Sequence, residues 1–556
     1  MSDSLLHDTR MVRAVSSIVS RSERQPSLDV LRETYVETGV LPQVANFGHQ
    51  ILYGRRGTGK THVLQVLGAE MEELENVFPI YLDVRLLGSA HMFTDWTQPL
   101  APRCIALYKD LLALLQSRLL DIATDPARDG SGLQEVDELA HFITAKTAEV
   151  TSREVKTTRQ DADGSQAGLR FGVSSTGPSA DMNLGSSSNR TNTDEVSYSE
   201  ALRETLVYSE IYRVLDTALE AMGVEHLVLL IDEWTSIPTD LQPFIAEFLK
   251  RSVLPSNRIT VKIGSLEYRS RFSLPQPGGG NVVGFELGPD ITANLDLDDY
   301  YVYERNPPQV EEIFASVLYK HIVSGLDQEV LVEYGIRDAA AFRSRVFTER
   351  ETFVELVRAG EGVVRDFLGI FGSSFLRATR SGRNKIDLRS VEDAARDWYE
   401  TDKSASLSDE QHVALRRLID DVIGTRQTKM FMLSREQADH PMILSLFDLR
   451  LLHLIERGYS DKENPGLRYN IYALDYGTYV ELKRTKVEPD GVFTEDVEFA
   501  EAQIGERLVP LADKRSIRRV ILQTAIFDDL EPSPGPPGEQ QNVSATAYDP
   551  PGAERP

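Results

Sequence analysis

At 556 residues the chain is long enough for two to four domains with cores of their own, and 41% hydrophobic and 8% aromatic content is that of a soluble globular protein. A formal charge of −26 argues against wholesale wrapping by nucleic acid, whose non-specific grip comes from Lys and Arg neutralising phosphates, while leaving room for one local basic surface. The single cysteine, Cys104, excludes an internal disulfide and a multi-cysteine zinc site and suits a reducing cytoplasm; residues 1–25 are charged throughout with no apolar signal core, and no apolar run approaches the roughly 20 residues of a membrane span.

Residues 1–26 read as a short amphipathic helix or mobile arm, with Met11, Val12, Val15, Ile18 and Val19 at helical spacing. An apolar strand from His49 to Tyr53 then runs into Gly54-Arg55-Arg56-Gly57-Thr58-Gly59-Lys60-Thr61, a G-x-x-x-x-G-K-T string, followed by His62 and a helical pattern of Val63, Leu64, Val66 and Leu67. In such a loop the glycines let backbone N–H groups turn inward around phosphates, the lysine supplies a point charge to the β- and γ-phosphates, and the Thr61 hydroxyl ligates Mg²⁺. The helix that follows aims its positive dipole end at the same anion. Residues 54–62 are therefore the expected nucleotide-binding segment, with ATP and Mg²⁺ as the implied cofactors.

Phe78–Val84 reads as the next strand, and helical periodicity runs from about Ala101 to Ala148. Residues 151–196 are rich in Ser, Thr, Gly and Asn and read as a surface insertion; alternation in Leu169–Val173 and Met182–Leu184 offers a β-hairpin within it. A helix from about Ser199 to Met222 leads to His226-Leu-Val-Leu-Leu-Ile-Asp232-Glu233, a continuous apolar strand ending in two carboxylates. Parallel sheets covered on both faces need such strands, and they place ligands at the carboxyl ends. Asp232 there would hold Mg²⁺ and Glu233 would act as general base toward water. A helix over 240–251, a strand over 258–265, a Pro-Gly-Gly-Gly breaker at 277–280 and helices over 310–324, 338–346, 350–358, 363–380, 388–400 and 408–423 complete this region.

With both motifs in this order the chain resembles the AAA+ ATPases, and most of all their origin-recognition-complex (initiator) branch and its uncharacterised bacterial relatives. The resemblance covers roughly residues 30–400, with a weaker echo to about 525. It makes Gly54–Thr61 the Walker A motif, Leu227–Glu233 Walker B, Ser265 sensor 1 and Arg365, on a helical lid, sensor 2. Arg269 or Arg271 would be the arginine finger of a homo-oligomer, with Arg271 the choice adopted. The implied fold is α/β: a parallel-sheet P-loop NTPase domain over 27–305, a helical lid over 306–402, a winged-helix-like domain over 403–528 and an unstructured tail over 529–556.

The winged-helix expectation rests on a helix over 441–457, a turn over 459–466, and wing strands Leu467–Leu474 and Tyr479–Leu482. Residues 426–486 hold ten Lys or Arg against eight Asp or Glu, a local surplus in an acidic chain. The helix would offer only Asp448, Arg450, His453, Glu456 and Arg457 to a DNA groove, few of them base-reading types. Two functions follow: an ATP-hydrolysing assembly switch acting on DNA through this module or the insertion, or a signalling or defence ATPase whose C-terminal region grips a protein.

Overall fold

A sheet of five parallel strands forms the centre of the N-terminal half: β1 (Gln50–Tyr53), β2 (Val77–Asp83), β5 (His226–Asp232), β6 (Ile259–Ser265) and β9 (Thr292–Asp296), side by side in the order β2–β5–β6–β1–β9. The computed structural model describes residues 4–19, 22, 25, 27–87, 95, 97–125, 131–144, 172–174, 177–179, 208–275, 282–426, 428–460, 466–480, 520–527 and 529–530. Every residue of β6, and all of β5 but its first, is buried, as strands covered on both faces require.

The strand period of two splits these side chains cleanly. Leu227, Leu229 and Ile231 join a core with the helices Leu100–Ala123, Tyr208–Ala221 and Gln242–Ser252, while Val228 and Leu230 join one with the helix Lys60–Met71. That second core runs on without a break through Phe314, Phe353, Phe367, Phe371 and Phe375 of the lid helices Pro307–Val323, Arg350–Gly360 and Val364–Arg380 to Leu446 and Tyr472 of the C-terminal region.

The N-terminal segment belongs to the same core. Asp8 caps a helix Thr9–Ser16 by accepting from the Arg10 N–H, and Leu5, Leu6, Met11 and Val15 are buried against the lid. Of residues 1–26, Thr9–Ser16 is helical. Periodicity over 101–148 resolves into two helices, Leu100–Ala123 and Leu133–Thr144, and the Ser199–Met222 helix is described over Tyr208–Ala221. Within the insertion a hairpin pairs β3 (Gly172–Ser174) with β4 (Gly177–Ser179); Met182–Leu184, expected as its second strand, and the tail beyond residue 530 lie outside the described residues. Between β6 and β9 a small hairpin of β7 (Ser273–Pro275) and β8 (Val282–Gly284) flanks the 277–280 breaker, itself outside the described residues.

The C-terminal region follows the order helix Asp409–Leu418, β10 (Met430–Ser434), helices Arg435–Ala438 and Pro441–Asp448, β11 (Leu452–Ser460) and β12 (Arg468–Leu474), with an antiparallel sheet β10–β12–β11. This is a winged-helix-like arrangement in which β11 and β12 form the wing. Two sequence expectations are corrected here. The 441–457 helix stops at Asp448, because Arg450 takes a left-handed conformation (φ 63°) and sends the chain into β11. That conformation disfavours any residue with a Cβ, and it is held by ion pairs of the buried Arg450 guanidinium with Asp366 and with Asp402 at 2.5 Å. Tyr479–Leu482, expected as a wing strand, begins instead within a helix, Tyr476–Val480, with 481–482 outside the described residues. The Asp475 carboxylate accepts the Gly477 N–H at 3.0 Å and starts this turn, and Tyr476 donates to Glu355 of the lid at 2.5 Å.

Candidate functional site

The loop between β1 and the helix Lys60–Met71 curls because Gly54, Gly57 and Gly59 all take positive φ (153°, 86° and 103°). A Cβ on Gly54 would lie 2.7 Å from the Thr58 hydroxyl, and one on Gly57 would lie 2.8 Å from the Arg365 Cβ, so neither position admits a side chain. The Lys60 ammonium bends back over the loop and donates to the Gly54 and Arg55 carbonyls at 2.8 and 3.0 Å. Burial pulls its pKa down, against the opposing field of Asp232 and Glu233.

Asp232 ends β5 beside this loop, almost fully buried. It accepts from the Thr61 hydroxyl at 2.6 Å, from the Tyr81 hydroxyl of β2 at 2.7 Å, and from the Glu233 N–H at 2.8 Å. Gly264 on β6 leaves the room this carboxylate occupies: a Cβ there would sit 2.8 Å from Asp232 Oδ1. Glu233 follows in the left-handed region (φ 57°), with its carboxylate 4.0 Å from the Arg85 guanidinium. Burial, and then the Asp232 charge, raise the Glu233 pKa.

The other expected residues distribute unevenly. Ser265 ends β6 in register with Tyr53 of β1, buried, its hydroxyl shared with Ser270. Arg365, at the start of the lid helix Val364–Arg380, donates its backbone N–H to the Gly57 carbonyl at 3.1 Å, so the lid rests directly on the loop. Arg56 is exposed. His62 points the other way: its ring reaches the Leu31 carbonyl at 2.6 Å and packs edge-on against Tyr35, on the face of its helix away from Asp232. Arg269, though exposed, pairs with Asp448 of the C-terminal region, and Arg271 is exposed as well.

The comparisons with solved structures find likenesses at low identity. Over 83% of this chain and 93% of the other it is similar to the Orc2 protein of Aeropyrum pernix in its ADPNP–ADP complexes (12% identity, TM-score 0.30). Over 84% and 97% it is similar to Cdc6p of Pyrobaculum aerophilum (12%, TM-score 0.31), and over 85% and 95% to A. pernix Orc1 in complex with DNA (12%, TM-score 0.27). No protein-family model and no curated protein matches the sequence. The site geometry stands on the loop, the acid-tipped strand and the lid themselves.

Reasoning from sequence missed several residues at this site. Arg55 was expected at the phosphates, but its side chain leaves the loop. Its backbone N–H and Nε donate to the buried Asp298 at 2.9 and 3.0 Å, one Nη donates to the Glu361 carbonyl at 3.1 Å, and the other meets His453 of β11. The guanidinium also lies 5.7 Å over the Phe447 ring. Tyr81 and Gly264 carried no signal on their own; only the pairing of β2 and β6 against β5 brings them to Asp232.

Four of the groups that the helical reading offers to a DNA groove, Asp448, Arg450, His453 and Arg457, face the rest of the chain instead. Asp448 pairs with Arg269, and Arg450 with Asp366 and Asp402. Arg457 donates to Glu267 at 2.5 Å and to Asp296 at 2.8 Å, and His453 meets Arg55. The C-terminal region thus covers the carboxyl edge of the sheet, where ligands of such folds enter. A small, open cleft lined by Gly54, Arg56, Tyr268, Asp298 and Phe447 among others lies between these anchor points. No described helix is long and apolar enough to cross a membrane.

Proposed function

We propose that the protein binds and hydrolyses ATP with Mg²⁺ and uses the nucleotide as an assembly switch. The observation that carries this is the meeting of Lys60, Thr61, Asp232 and Glu233 around one loop of positive-φ glycines at the carboxyl edge of a parallel sheet. The residues fit the cofactor: glycines whose Cβ would fill the loop, a lysine whose hydrogen bonds go to carbonyls, and a buried carboxylate shared with a threonine hydroxyl.

Thr61 and Asp232 would hold the metal, and Gly54–Thr61 with Lys60 the phosphates. Bound magnesium triphosphate supplies the electrophilic phosphorus and neutralises charge developing on its oxygens. Glu233 takes the proton of the attacking water, a task suited to a carboxylate whose pKa burial raises. Ser265 stands at the edge of the same site, and Arg365 brings the lid onto the loop. Arg271, exposed and close in sequence to Ser265, is the arginine free to cross to a neighbouring copy.

The partner acted on is DNA in the reading taken from the resemblance. A second reading, a protein partner in a signalling or defence setting, is favoured by the charge of −26 and by the inward use of Asp448, Arg450, His453 and Arg457. Sizing the protein with and without a non-hydrolysable ATP analogue tests the switch: larger particles with the analogue support it, and an unchanged size overturns it. Binding to random duplex DNA separates the partners. Six to ten phosphate contacts predict a weakening of about 10³–10⁵ between roughly 50 and 200 mM salt, and negligible binding at both selects the protein partner.

A further inference from the structure

The arginine that follows the first glycine of the loop is spent on the C-terminal region. Arg55 is 5% exposed, anchored to Asp298 and to the Glu361 carbonyl of the lid, and its remaining nitrogen ends on His453. His453 Nε2 reaches Asp475 at 2.9 Å, Asp475 meets Lys403 at 2.5 Å, Lys403 meets Asp366 at 3.1 Å, and Asp366 pairs with Arg450. Asp366 is the neighbour of Arg365, whose N–H holds Gly57. The chain of buried charges therefore leaves the loop at Arg55, passes through β11 and the turn after β12, and returns to the loop through the lid. Arginine only donates and an ionised carboxylate only accepts, so His453 between them accepts at Nδ1 and donates from Nε2.

We propose that His453 and Arg55 are positioning residues that make nucleotide affinity depend on the docking of the C-terminal region. This rests on the nucleotide site proposed above. With the region docked, Arg55 fixes the loop in its phosphate-ready shape; released, the loop loses one anchor and affinity falls. Thermodynamic reciprocity requires nucleotide to tighten docking by the same factor.

The test uses full-length protein and a fluorescent ATP analogue with Mg²⁺. His453→Leu and Arg55→Gln each weaken binding by roughly 5–150-fold, the usual range for coupled sites, and the double variant is no weaker than the worse single one. His453→Asn, whose amide oxygen replaces the Nδ1 acceptor, restores most of the affinity. In the wild type, nucleotide raises hydrogen-exchange protection over 441–455. A merely structural role would lower thermal stability and leave affinity and nucleotide-induced protection unmoved. If His453→Leu does not fold, Arg55→Gln and the wild-type exchange experiment decide. Folded variants that bind as tightly as a binding wild type, or unchanged protection over 441–455, overturn the coupling and leave the nucleotide site standing. A wild type that binds no nucleotide overturns the site itself.

Discussion

Asp232 is held by three donors, and a fourth neighbour matters by what it lacks. The Thr61, Tyr81 and Glu233 contacts fix its carboxylate, and Gly264 keeps the space beside Oδ1 clear. Gly264→Ala places a methyl 2.8 Å from that oxygen and must move it. A displacement of about 1 Å at such a group costs on the order of 10²-fold in turnover, so we expect steady-state ATPase activity to fall by about that factor while the protein stays folded. Glu233→Gln removes the proton acceptor and keeps the shape: hydrolysis should drop by about 10²–10⁴-fold, with ATP binding retained in a filter or fluorescence assay. Lys60, Thr61, Asp232 and Glu233 stand out in the sequence because the chemistry proposed for them demands fixed residue types, in a glycine loop and at the end of an apolar strand. Tyr81, Gly264 and Asp298 do not, since each becomes relevant only through strand pairing or a contact more than 150 residues away in the chain.

At the scale of elements, apolar periodicity located the central strands and lid helices well, because burial on both faces or along one stripe is written in the local pattern. It failed where tertiary contacts overrode it. Leu451–Ile455 was expected to continue the 441–457 helix; the left-handed Arg450, held by Asp366 and Asp402, turns the chain into β11 from Leu452. Strand β9, with the sequence Thr-Ala-Asn-Leu-Asp, lies at the edge of the sheet and has no apolar run to announce it. The N-terminal helix was visible as amphipathic, but its partner was not. Leu6 is fully buried against the lid, so Leu6→Ala should destabilise the protein by about 2–5 kcal/mol in denaturant unfolding. An unchanged midpoint would mean that the segment is an arm after all.

At the scale of the molecule, the N-terminal half and the C-terminal region share one apolar core and a set of ion pairs over the carboxyl edge of the sheet. The pairing through His453 has a signature in pH. Burial and the Arg55 charge lower the His453 pKa to about 4, from the ordinary 6.5. The folded state therefore keeps this ring neutral while the unfolded chain protonates it, so its contribution to stability is complete above pH 6.5 and is lost as pH falls toward 4. Other buried groups move oppositely: Asp296, raised to about 7 by burial and Asp298, and Glu361, raised to about 8 by burial, favour the fold as pH falls. The comparison that isolates His453 is wild type against His453→Asn. Their stability difference should shift against the wild type between pH 6.5 and 4, and a constant difference would show that the ring does not stay neutral. The use of the C-terminal region's polar face against the loop could not be read from the motifs, because nothing local distinguishes an arginine aimed at DNA from one aimed at its own chain.

The central claim is that Lys60 and Asp232 serve one magnesium nucleotide. Isothermal calorimetry of ATP into the full-length protein, with and without Mg²⁺ and with Lys60→Ala as control, tests it directly. Saturable, Mg²⁺-dependent binding at one site per chain that disappears in Lys60→Ala is the predicted result; absence of heat in the wild type, or equal binding by Lys60→Ala, would contradict it.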